Sequence, residues 1–146
     1  MNARIVALIF VLLPLVAMSS EPASYLCVGD QAVGFRYDKT EKKWEHAIFN
    51  TDDQKFLYKV DSGGNWVFEL FGKPKGEGVT PTVCEDFKDK NGKPGIVSCR
   101  GLYSSDFNLI TGRFMSTYMA GYTEKTDATD NDDDTPLLTI GRCSKV

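Results

Sequence analysis

Short runs of alternating apolar and polar residues recur along the chain after residue 24, and turn-forming residues separate them. Successive side chains of a β-strand point to opposite faces of the sheet, so this pattern is typical of half-buried strands. Val33, Phe35 and Tyr37, for example, share one face of a predicted strand. The pattern predicts strands over residues 25–28, 32–38, 44–49, 55–60, 66–71, 80–87, 96–100, 106–110, 113–122 and 137–143.

The turns between these runs carry residues that favour tight chain reversal. Asn91 precedes Gly92, Thr111 precedes Gly112, and residues 61–65 read Asp-Ser-Gly-Gly-Asn. No run has the periodicity of an amphipathic helix, although a short helical turn over residues 85–90 fits the sequence. From these ten runs we expect about eight to nine strands, which at this spacing predict an all-β fold, either a small antiparallel barrel or a two-sheet sandwich.

The first twenty residues have the features of an export signal. Arg4 provides the positive charge, residues 5–18 are uncharged and mainly apolar, and Ala17 and Ser19 are spaced as signal peptidase requires. A retained membrane anchor is the alternative, but a spanning helix needs about 20 apolar residues. We therefore expect a signal peptide at residues 1–20, a single β domain at residues 21–146, and no membrane span after cleavage.

Four cysteines follow the signal, and an even number in an exported chain predicts two disulfides. Three connectivities are open, and the chain pattern favours two particular bridges. Cys84 and Cys99 flank a hairpin signal, whereas Cys27 and Cys143 lie in the first and last predicted strands. No CxxC spacing suggests a redox role.

The formal net charge is −3, and loss of Arg4 with the signal makes the mature chain one unit more acidic. Nucleic acids and anionic membranes attract basic surfaces, so neither is an expected partner. The acidic residues concentrate between positions 127 and 134, at Asp127, Asp130, Asp132, Asp133 and Asp134. An EF-hand loop that starts at Asp130 would need Gly where Thr135 stands and Glu where Gly141 stands. Mutual repulsion favours a solvated loop, with weak calcium binding or contact with a basic partner as further interpretations.

Other candidate site residues lie within predicted strands. Trp44 and Trp66 either fill the core or line a barrel mouth that binds an apolar or glycan ligand. His46 is the single histidine, which excludes a two-histidine metal site within one chain. Three strand acids could form the carboxylate pair of a glycoside hydrolase, namely Glu45, Glu69 and Glu85. No nucleophile, phosphate-binding or zinc motif is present, and we expect neither a cofactor nor a metal.

Three stretches resemble a family of small exported proteobacterial proteins that has no assigned function. They are residues 25–38 with Trp44 downstream, residues 107–114, and residues 134–143. The resemblance implies an exported location and a proteobacterial source, and it assigns no functional residue. Periplasmic lysozyme inhibitors of the small β-barrel type offer a more distant likeness in size, export, disulfide content and β architecture.

These observations favour a periplasmic or secreted binding module without enzymatic activity. Inhibition of a basic hydrolase through the acidic residues is the first specific form of this hypothesis. A carrier for a small apolar or glycan ligand and an acid-pair hydrolase are the alternatives. The partner and the oligomeric state are not determined by the sequence.

Overall fold

The computed structural model describes residues 23–72, 82–124 and 135–146. The described residues form nine strands and one short helix, α1 (Ala120–Glu124). The strands are β1 (Ser24–Asp38), β2 (Lys43–Phe49), β3 (Lys55–Val60), β4 (Trp66–Leu70), β5 (Thr82–Lys88), β6 (Pro94–Cys99), β7 (Tyr103–Asn108), β8 (Arg113–Tyr118) and β9 (Leu137–Lys145). The predicted signal peptide lies outside the described residues. None of the described helical residues forms a helix long and apolar enough to cross a membrane.

The strands form an antiparallel sheet that closes on itself. From β3 to β9 each strand pairs with the next along the chain, and β1 pairs with both β3 and β9. Strand β1 and strands β3–β9 therefore form an eight-stranded barrel, while β2 is an extra strand that pairs with β1. The predicted all-β barrel is confirmed, and the sandwich alternative is not observed.

Aromatic rings fill the inside of the barrel. The core consists of buried residues from seven of its eight strands, namely Cys27, Phe56, Tyr58, Phe68, Cys84, Val97, Cys99, Phe107 and Phe114. The rings of Phe56 and Phe68 stack with centroids 5.4 Å apart, and Tyr58 lies 5.0 Å from Phe107. Such contacts add to the free energy of burying large apolar surfaces. The alternation in the sequence thus directs one large side chain after another into a shared core.

A short polar chain crosses this core. The hydroxyl of Tyr58 donates to Ser105 Oγ, and the Ser105 hydroxyl donates to the Met115 carbonyl oxygen at 3.0 Å. Burial raises the pKa of Tyr58 above its ordinary value of 10.0, because the phenolate would be poorly solvated there. These bonds satisfy polar groups that are otherwise costly to bury.

Both favoured disulfides are confirmed. Cys27 bonds to Cys143 across β1 and β9, and Cys84 bonds to Cys99 across β5 and β6. The members of each pair stand directly opposite in their ladders, with Cα atoms 3.9 and 4.2 Å apart. One bridge therefore ties the first described strand to the last, and the other closes a hairpin.

A bulge divides β1 into two parts that face differently. The register with β9 shifts between Gly29 and Gln31, which leaves Asp30 as an extra residue. Cys27 is buried before the bulge, and Ala32 is buried after it. An extra residue moves the following side chains to the opposite faces, because the strand period is two. The bulge therefore turns Val33 and the alternate residues after it away from the barrel interior.

The structure corrects three sequence predictions. Residues 25–28 and 32–38 belong to the single strand β1, because β9 pairs on both sides of the bulge. Residues 85–88 belong to β5 rather than to a helical turn. The ladder with β6 and the Cys84–Cys99 bridge hold these residues extended, so tertiary pairing overrides local helix preference. Helix α1 instead follows β8, within the predicted strand 113–122.

Candidate functional site

Two surface features have shapes suited to binding. The first is the hairpin of β2 with residues 32–38 of β1, which we call the arm. Strand β2 pairs only with β1 within the described residues, so the arm extends beyond the closed barrel. Its register places Val33 opposite Ile48 and Phe35 opposite His46. Because directly opposed residues share one face, these side chains form the outward face of the arm together with Tyr37 and Trp44.

The outward face of the arm exposes large apolar side chains to solvent. Ile48 is 86% exposed, Phe35 is 51% exposed and Val33 is 45% exposed. The face continues across the sheet, since Leu138 of β9 stands opposite Val33 and Met115 of β8 stands opposite Ile140. Contiguous apolar surface of this kind is uncommon on soluble proteins and marks interaction sites.

Aromatic contacts brace the free end of the arm. The Trp44 ring centroid lies 5.5 Å from that of Tyr37 and 5.6 Å from that of Tyr122, which belongs to α1. At the tip, the backbone N–H groups of Thr40 and Glu41 donate to Asp38 Oδ1. These hydrogen bonds hold the pKa of the Asp38 carboxyl below its ordinary value, because they stabilise the charged form. The arm is thus an ordered ribbon whose turn is shaped by its own side chain.

The second feature is a cleft between β4 and β5. Within the described residues these strands pair at two positions, Phe68 with Thr82 and Val67 with Val83, and β5 then continues beside β6. The gap where β4 and β5 diverge encloses about 420 Å³. It is lined by Gly64, Asn65, Trp66, Cys84, Glu85, Asp86 and Phe87.

Both walls of the cleft are held in place. Asp61 Oδ1 accepts hydrogen bonds from the backbone N–H groups of Gly63 and Asn65, which shapes the turn before β4. These donors keep the pKa of the Asp61 carboxyl below its ordinary value. Gly64 has φ = +83°, a left-handed conformation that favours glycine. On the opposite side the Cys84–Cys99 bridge fixes β5 to β6.

The two tryptophans predicted to line a ligand site lie at opposite ends of β1. Trp44 pairs with Tyr37 near the tip of the arm. Trp66 pairs with Val60, its ring lies 6.0 Å from that of Tyr25, and it lines the cleft. The structure therefore does not bring them together in one barrel mouth, and any ligand role belongs to each separately.

The strand acids and the histidine are also dispersed. Glu45 pairs with Lys43 on the arm at 3.2 Å, Glu69 pairs with Lys59 at 2.7 Å, and Glu85 lies in the cleft. These glutamates stand on three strands, and no contact among the described residues joins them. His46 is exposed opposite Phe35 and makes no hydrogen bond or ion pair within the described residues. This arrangement provides no hydrolytic pair or triad among these residues.

The five aspartates predicted to bind a partner lie outside the described residues, at positions 127–134. Where side chains are described, no group of three or more histidine, cysteine or acidic residues is placed to hold a metal ion. The contribution of these aspartates to calcium or partner binding stays a prediction.

Sequence reasoning identified the alternation in the arm but not its exposure. The break at residues 29–31, where Gly29, Asp30 and Gln31 interrupt the apolar pattern, was the available signal for a bulge. The cleft had no comparable signal, because the point at which β4 and β5 diverge depends on strand pairing. The sequence pattern indicates Trp66 and Glu85 as separate candidate site residues, but it does not indicate Asn65, Asp86 or Phe87.

Comparison with models of known protein families, with curated proteins and with solved structures finds no match. The resemblance to a family of exported proteobacterial proteins therefore stays a prediction. The all-β barrel and its two disulfides are consistent with an extracellular or periplasmic protein.

Proposed function

We propose that this domain is a non-enzymatic binding module, periplasmic or secreted, that captures a protein partner on the outward face of the arm. The observation that carries the proposal is the exposed apolar surface formed by Val33, Phe35 and Ile48. Burying a fully exposed side chain of this size contributes about 1.5–3 kcal/mol, and the half-buried Val33 and Phe35 would contribute about half of that. A partner that covers all three residues would use this free energy to offset the cost of association.

The shape of the arm supports recognition of a protein rather than of a small molecule. Within the described residues, Ile48 and Phe35 on the outward side of the arm are at least half exposed, whereas small ligands prefer concave sites that bury most of their surface. The barrel interior is occupied by fully buried rings such as Phe56, Phe68 and Phe107. Surface docking therefore accounts for this structure better than an interior carrier site.

The preferred partner in this proposal is a basic secreted protein such as a hydrolase. The chain is acidic, and the described residues on either side of the segment 125–134 contact the arm. Before the segment, Tyr122 packs on Trp44; after it, the Pro136 carbonyl oxygen accepts a hydrogen bond from the Phe35 N–H at 3.1 Å. A basic partner on the arm would gain long-range attraction from the segment's aspartates.

The test uses the oxidised domain, residues 21–146, immobilised against a panel of basic secreted hydrolases at low and moderate salt. We expect a saturable complex that also inhibits the enzyme it binds. The double variant Phe35→Asp with Ile48→Asp should weaken the complex by about thirtyfold or more, as loss of an interface hot spot does. Both side chains are exposed, so the melting transition should be retained.

Ile110 provides the matched control, because it is 74% exposed in the turn between β7 and β8. Ile110→Asp adds one of these two charges away from the arm and should leave binding unchanged. Replacing Asp132, Asp133 and Asp134 with Asn should reduce the salt dependence of the complex. Equal binding by the arm variant and the Ile110 variant would contradict the role of the arm.

A further inference from the structure

We propose a second binding site, in the cleft between β4 and β5, that takes an extended basic peptide segment as an additional strand. The site lies on the barrel and is separate from the arm, so the proposal does not depend on the partner proposed above. Its first support is the shape of the sheet. Beyond Val83, β5 has no ladder partner on the β4 side within the described residues, although it stays paired with β6.

The backbone of β5 faces this gap. The Cα atoms of Cys84 and Cys99 are 4.2 Å apart, which matches the narrow, non-hydrogen-bonded type of antiparallel pair near 4.5 Å. Alternation then makes Glu85 with Ser98 and Phe87 with Ile96 the hydrogen-bonded pairs. The N–H and C=O groups of Asp86 consequently point away from β6 and towards the cleft. An incoming strand would find one donor and one acceptor there.

The hydrogen bonding of β6 supports the same alternation. The Leu109 N–H donates to the Gly95 carbonyl oxygen at 3.0 Å, so the backbone N–H and C=O groups of Gly95 point towards β7. Two residues further on, the backbone groups of Val97 point towards β7 as well, so those of Ile96 and Ser98 point towards β5. The orientation of the Asp86 backbone therefore follows from two separate observations.

The side chains around the cleft select a positive charge. Glu85 and Asp86 are exposed, and neither makes an ion pair or a side-chain hydrogen bond within the described residues. Trp66 and Phe87 add aromatic rings, which attract lysine and arginine through cation–π contacts and pack against their methylene chains. Strand alternation places Asp86 on the face of Cys84 and places Glu85 with Phe87 on the opposite face. A segment with Lys or Arg at alternate positions would therefore meet the carboxylate of one face while its backbone pairs with β5.

The cleft is also preformed. It is a half-open cleft of about 420 Å³. The Asp61 turn and the Cys84–Cys99 bridge hold the two walls, and the contact with Tyr25 holds Trp66. Little conformational freedom would be lost on binding, which lowers the free-energy cost of association.

The test monitors the fluorescence of Trp66. The chain has two tryptophans, so Trp44→Phe leaves Trp66 as the single reporter. The probe is a blocked eight-residue peptide of alternating Thr and Lys. Three comparison probes separate the contributions: the same peptide with Glu for Lys, the Lys peptide with every backbone nitrogen methylated, and lysine amide alone.

We expect saturable binding of the lysine peptide and none of the glutamate peptide. The N-methylated peptide should bind more weakly, because it cannot donate to the Asp86 carbonyl oxygen or complete the ladder. Glu85→Gln with Asp86→Asn should weaken the lysine peptide by about fivefold, the upper range for an exposed charge pair, whichever face the lysines occupy. The matched control, Glu41→Gln with Asp53→Asn, removes two exposed charges outside the cleft and should change nothing.

Four results would overturn the proposal. They are no fluorescence response to the lysine peptide, equal weakening by the cleft and control variants, equal binding of lysine amide and the peptide, and equal binding of the N-methylated peptide. The melting transition of each variant establishes that it is folded. Because Phe35→Asp with Ile48→Asp leaves the cleft unchanged, failure of the arm hypothesis and failure of the cleft hypothesis are separate outcomes.

Discussion

The two halves of β1 use similar sequence patterns for opposite purposes. In the barrel half, Tyr25 and Cys27 point inward, pack on the core and are stabilised by it. In the arm half, Val33 and Phe35 point outward and remain exposed. The halves differ by one extra residue, Asp30, which shifts the register with β9. A single bulge thus converts a core-forming pattern into an exposed apolar surface without changing the alternation itself.

This comparison explains why the arm stays ordered although it buries little. An isolated two-stranded hairpin is only marginally stable in water. The arm shares β1 with the barrel, pairs with β9 through Val33 and Gly34, and rests on Tyr122 of α1 through Trp44. The barrel therefore supplies the stability, and the arm is free to expose apolar residues.

The largest expected effect comes from removing the disulfide that joins β1 to β9 in the barrel half. Replacing Cys27 and Cys143 with Ala removes a bridge that spans 116 residues. The chain-entropy model predicts that losing such a loop lowers the free energy of unfolding by about 5 kcal/mol. Replacing Cys84 and Cys99 removes a bridge that spans 15 residues, with an expected loss of about 3 kcal/mol. Urea unfolding of both variants measures the difference. Equal losses would mean that loop length does not govern the contribution of these bridges.

The second prediction compares one phenylalanine from each region. Phe107 is fully buried in the barrel, so Phe107→Ala should reduce the free energy of unfolding by about 3–5 kcal/mol. Phe35 is half exposed on the arm, and Phe35→Ala should cost less than about 1 kcal/mol. The measurement is the urea midpoint of each variant. Similar losses would show that the arm contributes to the barrel's stability, contrary to the comparison.

The smallest expected effect concerns alkaline pH. Burial raises the pKa of Tyr58 in the folded barrel above 10.0, so the unfolded chain releases this proton first as the pH rises. The stabilisation is fully present below the pKa of the unfolded chain, which is about 10. Above that pH it is progressively lost, and the free energy of unfolding falls by about 1.4 kcal/mol at one pH unit higher. Between about pH 8 and about pH 11, the free energy of unfolding should change less for Tyr58→Phe than for the unchanged chain, as unfolding curves at both pH values would measure. An identical pH dependence would exclude Tyr58 as its source.

Much of the barrel was predictable because its local signals agree with its tertiary structure. The runs around Phe56 and Phe68 alternate cleanly and become β3 and β4. The turn at Gly92 also formed as predicted, with φ = +76° and its N–H bonded to the Asp89 carbonyl oxygen at 2.9 Å. In these places propensity, pattern and packing favour the same conformation.

The candidate sites were less predictable because each depends on relations between distant residues. Alternation placed Val33, Phe35 and Ile48 on shared faces, but it could not say that the bulge would turn them to solvent. The cleft requires β4 and β5 to separate after Val83, although Trp66 and Cys84 would be the next pair in the register. No local property of these residues encodes that separation.

By itself, the sequence determined that the chain forms β-strands, where most turns lie, and that four cysteines after a predicted signal pair in a manner consistent with the strand pattern. These properties depend on local backbone preference and on the period-two distribution of apolar residues. Tertiary structure alone decided that the sheet closes through β1 and β9, that β2 remains outside the barrel, and that β4 and β5 diverge. Closure, register and exposure depend on which strands meet, and one extra residue reverses the facing of a whole segment.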